Sequence, residues 1–175
     1  GDGFVGYFGF HAPGVNSAGR YNWNKRSWYG DMFTTNYLTT MNAWREIRKA
    51  INNDEDPRFS MAQILKVAAM HRVADTYGPI PYLNFGVSKE VPYDSEKDIY
   101  YRFFEELDEA ITNLDNYAAS DVKVLSACDC VFNGDVTAWI KFANSLRLRL
   151  ALHLAYVDEE KAKAEAQLAI GNSHG

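Results

Sequence analysis

Asp135-Val136-Thr137-Ala138-Trp139-Ile140-Lys141-Phe142-Ala143-Asn144-Ser145-Leu146-Arg147-Leu148-Arg149-Leu150 is the stretch whose reading decides the fold class. Trp139, Phe142, Ala143, Leu146 and Leu150, continued by Leu154, recur at three- and four-residue intervals, which places them on one face of an α-helix. Asp135 stands just before the pattern begins, where a short acceptor side chain can satisfy the unpaired N–H groups of a first turn. Small residues within the stripe let a neighbouring helix come close. The spacing predicts a helix over about 136–156.

The same period recurs on both sides. Downstream, Asp158 opens a last helix rich in Ala, Lys and Glu, reaching about residue 170. Upstream, 117–133 reads as a linker that carries Cys128 and Cys130. Before it, Ser95 caps a helix to about residue 117, with Ile99, Phe103, Leu107, Ala110, Ile111 and Leu114 on one face. The prolines of Gly78-Pro79-Ile80-Pro81-Tyr82-Leu83 forbid a helix and favour an extended turn. That turn stops a helix whose start, Ser60-Met61-Ala62-Gln63, has the capping-box pattern. Ala62, Leu65, Ala69, Arg72, Val73 and Tyr77 follow it at helical spacing. The first helix falls within 34–53, with Tyr37, Leu38, Met41, Trp44, Ile47, Arg48 and Ile51 on its stripe, and Asn52-Asn53-Asp54-Glu55-Asp56-Pro57 ends it. Five helices without a strand ladder make an all-α fold. Paired helices joined by loops imply tetratricopeptide-like stacked hairpins, although no clean repeat of about 34 residues can be aligned.

Composition narrows the function. The 175 residues are 47% apolar and 23% charged, a globular balance, with a net charge of −5. No Lys/Arg cluster is present, which argues against a nucleic-acid groove or a patch for anionic membranes. No apolar run reaches the roughly 18–20 residues needed to span a bilayer, and residues 1–10 are no signal peptide. Two parts are expected: an irregular, aromatic-rich segment, 1–31, and a helical domain, 32–171.

Aromatics reach 14% and crowd the first 45 residues, where Gly, Asn and Ser break any helical period. Arg20-Tyr21-Asn22-Trp23-Asn24-Lys25-Arg26-Ser27-Trp28-Tyr29 combines ring faces that stack on the C–H face of a sugar with polar side chains that take its hydroxyls. The candidate ligand-binding residues are therefore Trp23, Trp28, Tyr29 and Tyr21, with Asn24 and Arg20 as polar partners. Tyr82 in the proline-rich turn is a weaker candidate. The competing reading is that Trp23 and Trp28 only pin the loop to the helical core.

No catalytic group, metal site or cofactor is expected. The carboxylate runs at 54–56, at Glu105, Glu106, Asp108 and Glu109, and at 158–160 read as solvated faces or helix ends; a glycosidase needs two carboxylates converging from different elements. His11, His71, His153 and His174 lack metal-ligand spacing, and His71 and His153 suit polar, half-buried roles. There is no phosphate-binding glycine motif; Gly3-Phe4-Val5-Gly6-Tyr7-Phe8-Gly9 has the wrong surroundings for one. Cys128 and Cys130, one residue apart, make neither a disulfide framework nor a zinc site. Arg147, at the edge of an apolar face, is expected to carry its charge to a carboxylate such as Asp75.

Two motifs resemble a known family. Asp75-Thr76-Tyr77-Gly78-Pro79-Ile80-Pro81-Tyr82 looks like the "D-x-Y-G-x-[IV]-P-[YF]" turn of SusD/RagB-like proteins, and residues 134–149 look like their "G-D-x-x-x-W-x-K-F-A-N-S-L-x-x-R" helix. Between them, residues 107–114 match the family's "L-x-x-A-I-x-x-L" helix end. The resemblance covers about 32–171. It implies a surface-exposed outer-membrane lipoprotein of Bacteroidetes on tetratricopeptide-like helix pairs, which binds and does not catalyse. It further implies capture of polysaccharides, oligosaccharides or peptides and their delivery to a TonB-dependent SusC-like transporter. The family's lipid-anchor cysteine is not matched, and family members run to several hundred residues, so the chain reads as an N-terminal portion. A second reading is a helix-hairpin module that docks a protein partner without binding a small ligand. A third, a carbohydrate-active enzyme, would need the converging carboxylates.

Overall fold

The computed structural model describes residues 30–88, 90–118 and 123–174. The chain divides into two units, Gly1–Thr34 and Thr35–Gly175; the account below concerns the second, apart from the start of the first helix. Among the described residues the only regular structure is helical: α1 (Asp31–Asn36), a π-helical segment (Tyr37–Met41), α2 (Asn42–Ile51), α3 (Pro57–Tyr77), α4 (Glu96–Ala118), α5 (Val136–His153) and α6 (Glu159–Gly171). A single isolated bridge joins Ile80 and Asp94. None of these helices is long and apolar enough to cross a membrane.

Four helix starts are held by side-chain caps. The Asp135 carboxylate accepts from the Ala138 N–H at 2.9 Å, and Asp158 from Lys161 at 3.1 Å. Ser95 Oγ accepts from Asp98 N–H at 3.1 Å, as the sequence predicts. Helix α3 differs from expectation: its cap is Asp56, which accepts from the Arg58 N–H at 2.8 Å, with Pro57 as the first helical residue. Helix α2 has already ended at Asn52, whose left-handed backbone (φ 48°) closes it, and Pro57 opens α3 because its missing N–H is not needed there. Ser60 is thus one turn inside α3, buried, its hydroxyl donating to the Asp56 carbonyl at 3.3 Å.

The π-helical segment closes its hydrogen bonds over five residues instead of the four of an α-helix, so the buried face shifts as it passes through. Met41 is fully buried, while Leu38, predicted on the same stripe, is 64% exposed. The face of α3 is also rotated from the predicted one. Leu65 is exposed, and Met61, Ile64, Val67, Met70, Val73 and Ala74 form the core contact.

Helices α3 to α6 pack in sequence as antiparallel neighbours. Lys66 pairs with Glu106 and Asp75 with Tyr100, so α3 and α4 run in opposite directions. Tyr100 with His153, and Asp108 with Arg147, set the same relation between α4 and α5. Phe103, Phe104, Leu107, Leu114, Ile140 and Leu150 fill the core between them, and buried Ala143, Ala151, Ala162 and Ala169 keep the last pair close. The fold is all-α, of stacked tetratricopeptide-like hairpins.

Candidate binding surface and its support

Gln63 and Lys66 lie one turn apart on α3 and both face α2. Trp44 Nε1 of α2 donates to Gln63 Oε1 at 2.6 Å, and the Trp44 ring centre lies 3.9 Å from Lys66 Nζ. Lys66 Nζ also sits 4.8 Å from the Tyr82 ring and donates to Glu106 Oε1 at 2.7 Å. The other carboxylate oxygen of Glu106 accepts from Tyr82 Oη at 2.5 Å, and Arg102 Nε adds a bond to Oε1 at 3.1 Å. Lys66, Tyr82 and Glu106 are each only 3% exposed. Buried charges cost several kcal/mol per ion unless their bonding is complete, and ring faces plus three donors to one carboxylate complete it here. Burial lowers the pKa of Lys66 against the pull of Glu106. Burial, then the Glu106 carboxylate, pushes the Tyr82 hydroxyl well above its ordinary value. Lys66, Tyr82 and Glu106 are bonded to one another, so the cluster supports the turn.

The turn after α3 rests on this cluster. Asp94 Oδ2 accepts from the N–H groups of Tyr82 and Leu83 at 2.7 and 2.8 Å. Tyr37 Oη donates to the Pro81 carbonyl at 3.0 Å, and the Tyr37 and Phe85 ring centres lie 5.6 Å apart. The Arg45 guanidinium covers Phe85 at 5.7 Å. Gly86 has φ +84°, a backbone conformation that favours glycine, and a Cβ there would stand 2.9 Å from Arg45 Cδ and push that flexible side chain aside. Burial, followed by Tyr93 and Asp94, raises the pKa of Tyr37. Leu83, Val87 and Tyr93 remain exposed on this turn.

The predicted ligand residues Arg20, Tyr21, Trp23, Asn24, Trp28 and Tyr29 all lie outside the described residues. Tyr82, the weaker candidate, is buried and bound to Glu106. Glu106 itself corrects the solvated-face reading, because its position on α4 falls between Phe103 and Ala110 on the core face. The signal that could have found it is a charged residue at an apolar-face position on each of two neighbouring helices, Lys66 being the other.

Arg147 does not reach Asp75. Its Nε donates to Glu165 Oε2 at 2.6 Å and its terminal nitrogen to Asp108 Oδ1 at 3.0 Å. Asp75 instead accepts from Tyr100 Oη, with His153 Nδ1 at 2.9 Å from the same hydroxyl. His71 Nδ1 donates to the Val67 carbonyl at 3.2 Å. Cys128 and Cys130 are free and exposed. Among the described residues, no three His, Cys, Asp or Glu side chains are grouped to hold a metal ion.

No curated protein matches this chain. Solved structures do. A SusD homologue from Bacteroides uniformis is 39% identical, with a TM-score of 0.67, over 84% of this chain and 28% of that one. A chitin-binding SusD homologue from Flavobacterium johnsoniae is 34% identical, with a TM-score of 0.79, over 83% and 31%. A SusD-like protein from Bacteroides thetaiotaomicron is 31% identical, with a TM-score of 0.80, over 86% and 31%. The chain thus spans under a third of the length of these relatives. A family model described as "SusD-like: Susd and RagB outer membrane lipoprotein" matches residues 1–175. With that match over the whole sequence and solved structures at 31–39% identity, the chain belongs to the SusD-like family of SusD and RagB outer membrane lipoproteins.

Proposed function

We propose that this chain is part of a surface-exposed outer-membrane lipoprotein that captures glycans, or peptides, and delivers them to a TonB-dependent SusC-like transporter. It binds and does not catalyse. The observation that carries the reading is family membership together with 34% identity to a chitin-binding homologue across 83% of the chain. The proposed contacts are Trp23, Trp28, Tyr29 and Tyr21 by stacking, with Asn24 and Arg20 bonding hydroxyls. Titration calorimetry against chitin oligosaccharides, other polysaccharides and peptides tests this, with Trp23→Ala and Trp28→Ala beside the parent. Saturable binding that both changes abolish supports capture at this segment. Binding untouched by them sinks the residue assignment, and release of shorter sugars would sink the non-catalytic reading.

A second reading, a docking module for a protein partner, is favoured by one feature. Leu152, Tyr156, Val157, Leu168 and Ile170 leave apolar surface exposed on and around α5 and α6. No ligand binding, combined with stable co-purification with the transporter, would favour this reading over the first.

A further inference from the structure

The stripe of Ala62, Leu65, Ala69 and Arg72, set at helical spacing on α3, is not the face that packs against the core. Ala62 and Ala69 are half-buried, Leu65 is 47% exposed and Arg72 is exposed. We propose that this outward face of α3, with the adjoining outward face of α5, docks a protein segment carrying acidic side chains among aliphatic ones, held by Arg72 and Arg149. The inference rests neither on capture of a glycan by residues 20–29 nor on docking to the transporter.

Helices α3 and α5 each run antiparallel to α4, so they run parallel to one another. They meet where Tyr100 Oη of α4 donates to Asp75 and lies 2.9 Å from His153 Nδ1. Arg72 precedes Asp75 by three residues and Arg149 precedes His153 by four, so the two arginines flank this junction one turn before it on both helices. Burial lowers the pKa of His71 against its bond to Val67 and the charge of Asp75, and the charges of Arg149 and Arg72 add to the lowering. Both guanidinium groups therefore lie within electrostatic reach of one side chain. Leu65 stands two turns before Arg72 on the same face of α3, and Leu152, 65% exposed, one turn after Arg149 on α5.

Charge pairing singles this surface out. Among the described residues, every arginine except these two holds a carboxylate. Asp75, the acidic residue nearest Arg72 in sequence, is engaged by Tyr100 and stands 3.5 Å from His153 Nδ1. No acidic residue lies within one turn of Arg149 along the chain. A free guanidinium is a planar fork of donors that takes a carboxylate in two parallel bonds. Two such forks between exposed leucines suit acidic side chains interspersed with aliphatic ones. Leu65 and Leu152 lack the flat ring face that stacks on a sugar, which favours a peptide over an acidic glycan. The chain as a whole has a net charge of −5 and repels acidic segments, so such a partner depends on this local site.

Fluorescence anisotropy on the full chain tests this with a labelled peptide in which glutamate alternates with leucine. The same peptide with glutamine for glutamate, and polygalacturonate, are compared with it. The expected result is saturable binding of the glutamate peptide, weakened about tenfold or more by the glutamine exchange and by Arg72→Gln with Arg149→Gln. Leu65→Ser, which removes only exposed apolar surface, should weaken it about threefold. All these variants should unfold in urea alongside the parent, because the altered side chains are exposed, so that lost binding is not lost folding. No saturable binding of the glutamate peptide, equal binding of the glutamine peptide, or binding that survives the double arginine change would each overturn the proposal. Arginine-dependent binding of polygalacturonate alone would overturn it in favour of an acidic glycan.

Discussion

Lys66–Glu106 and Arg147–Glu165 are both buried ion pairs, yet they are built on different principles. Lys66 is a point charge, held by one carboxylate and by the faces of Trp44 and Tyr82. It joins α2, α3, α4 and the proline-rich turn, which are elements of unlike shape. Arg147 is a planar fork that reaches Glu165 on one helix and Asp108 on another, and Lys161 takes the second Glu165 oxygen at 2.7 Å. It joins three successive helices of the stack. Asp108 is 62% exposed, so one arm of the fork ends in water. The lysine site has no spare partner, whereas the arginine site has one. Geometry of the cation thus decides how much a lost carboxylate costs.

That contrast breaks if the two carboxylates prove equal. Glu106→Ala leaves Lys66 buried and unpaired, and the expected loss is the largest, about 3–5 kcal/mol in urea unfolding at pH 7. The double change Lys66→Met with Glu106→Leu should recover most of it, since an apolar pair of similar volume leaves no buried charge. Glu165→Ala leaves Arg147 bonded to Asp108, so the same measurement should give a smaller loss, about 1.5–3 kcal/mol. Equal losses would show that the fork has no spare capacity.

Tyr82→Phe sharpens the lysine side. It removes a single donor to Glu106, and its expected loss is about 1 kcal/mol near neutral pH. The folded pKa of Tyr82 is raised, so its contribution is full below the unfolded value of about 10 and fades as pH climbs toward the raised folded value. The phenylalanine variant should therefore lose less stability than the parent above pH 10, and parallel curves would refute the linkage.

The smallest effect belongs to the loop before α5. Burial pushes the Asp129 carboxyl upward, but bonds from Trp139, Gly134, Val131 and Phe132 outweigh it and lower the pKa. Its contribution is present above the unfolded value of about 3.9 and disappears as pH falls through the lower folded value. Asp129→Asn should differ most from the parent near pH 7 and converge with it in acid. A gap that stays constant down to pH 2 would mean the carboxylate charge is irrelevant.

The helix boundaries were largely legible because their causes are local. Ser95, Asp135 and Asp158 each act on an N–H three residues away. Asp56 is hidden because Pro57 reads as a helix stop, whereas α2 ends at the left-handed Asn52 and Pro57 opens α3. Helix α3 misled in a different way. It buries Ser60, Gln63, Lys66 and His71 besides its apolar residues, so the visible hydrophobic stripe did not trace the buried face. Of the candidate site, the chemistry of residues 20–29 was readable from type and spacing, and the structure described here begins beyond them.

Residue type and spacing along the chain were enough for an all-α fold, its order of helices and its family, because helical period, caps and proline turns depend on neighbours within about four residues. The partners of Lys66, Arg147 and Asp75 depend instead on which residues meet 18 to 40 positions apart in the chain when helices cross. Their separation is set by packing, and so is the cost of leaving a charge alone. Only the assembled helices could therefore show that Glu106 is the centre of a buried cluster rather than one more carboxylate in a charged run.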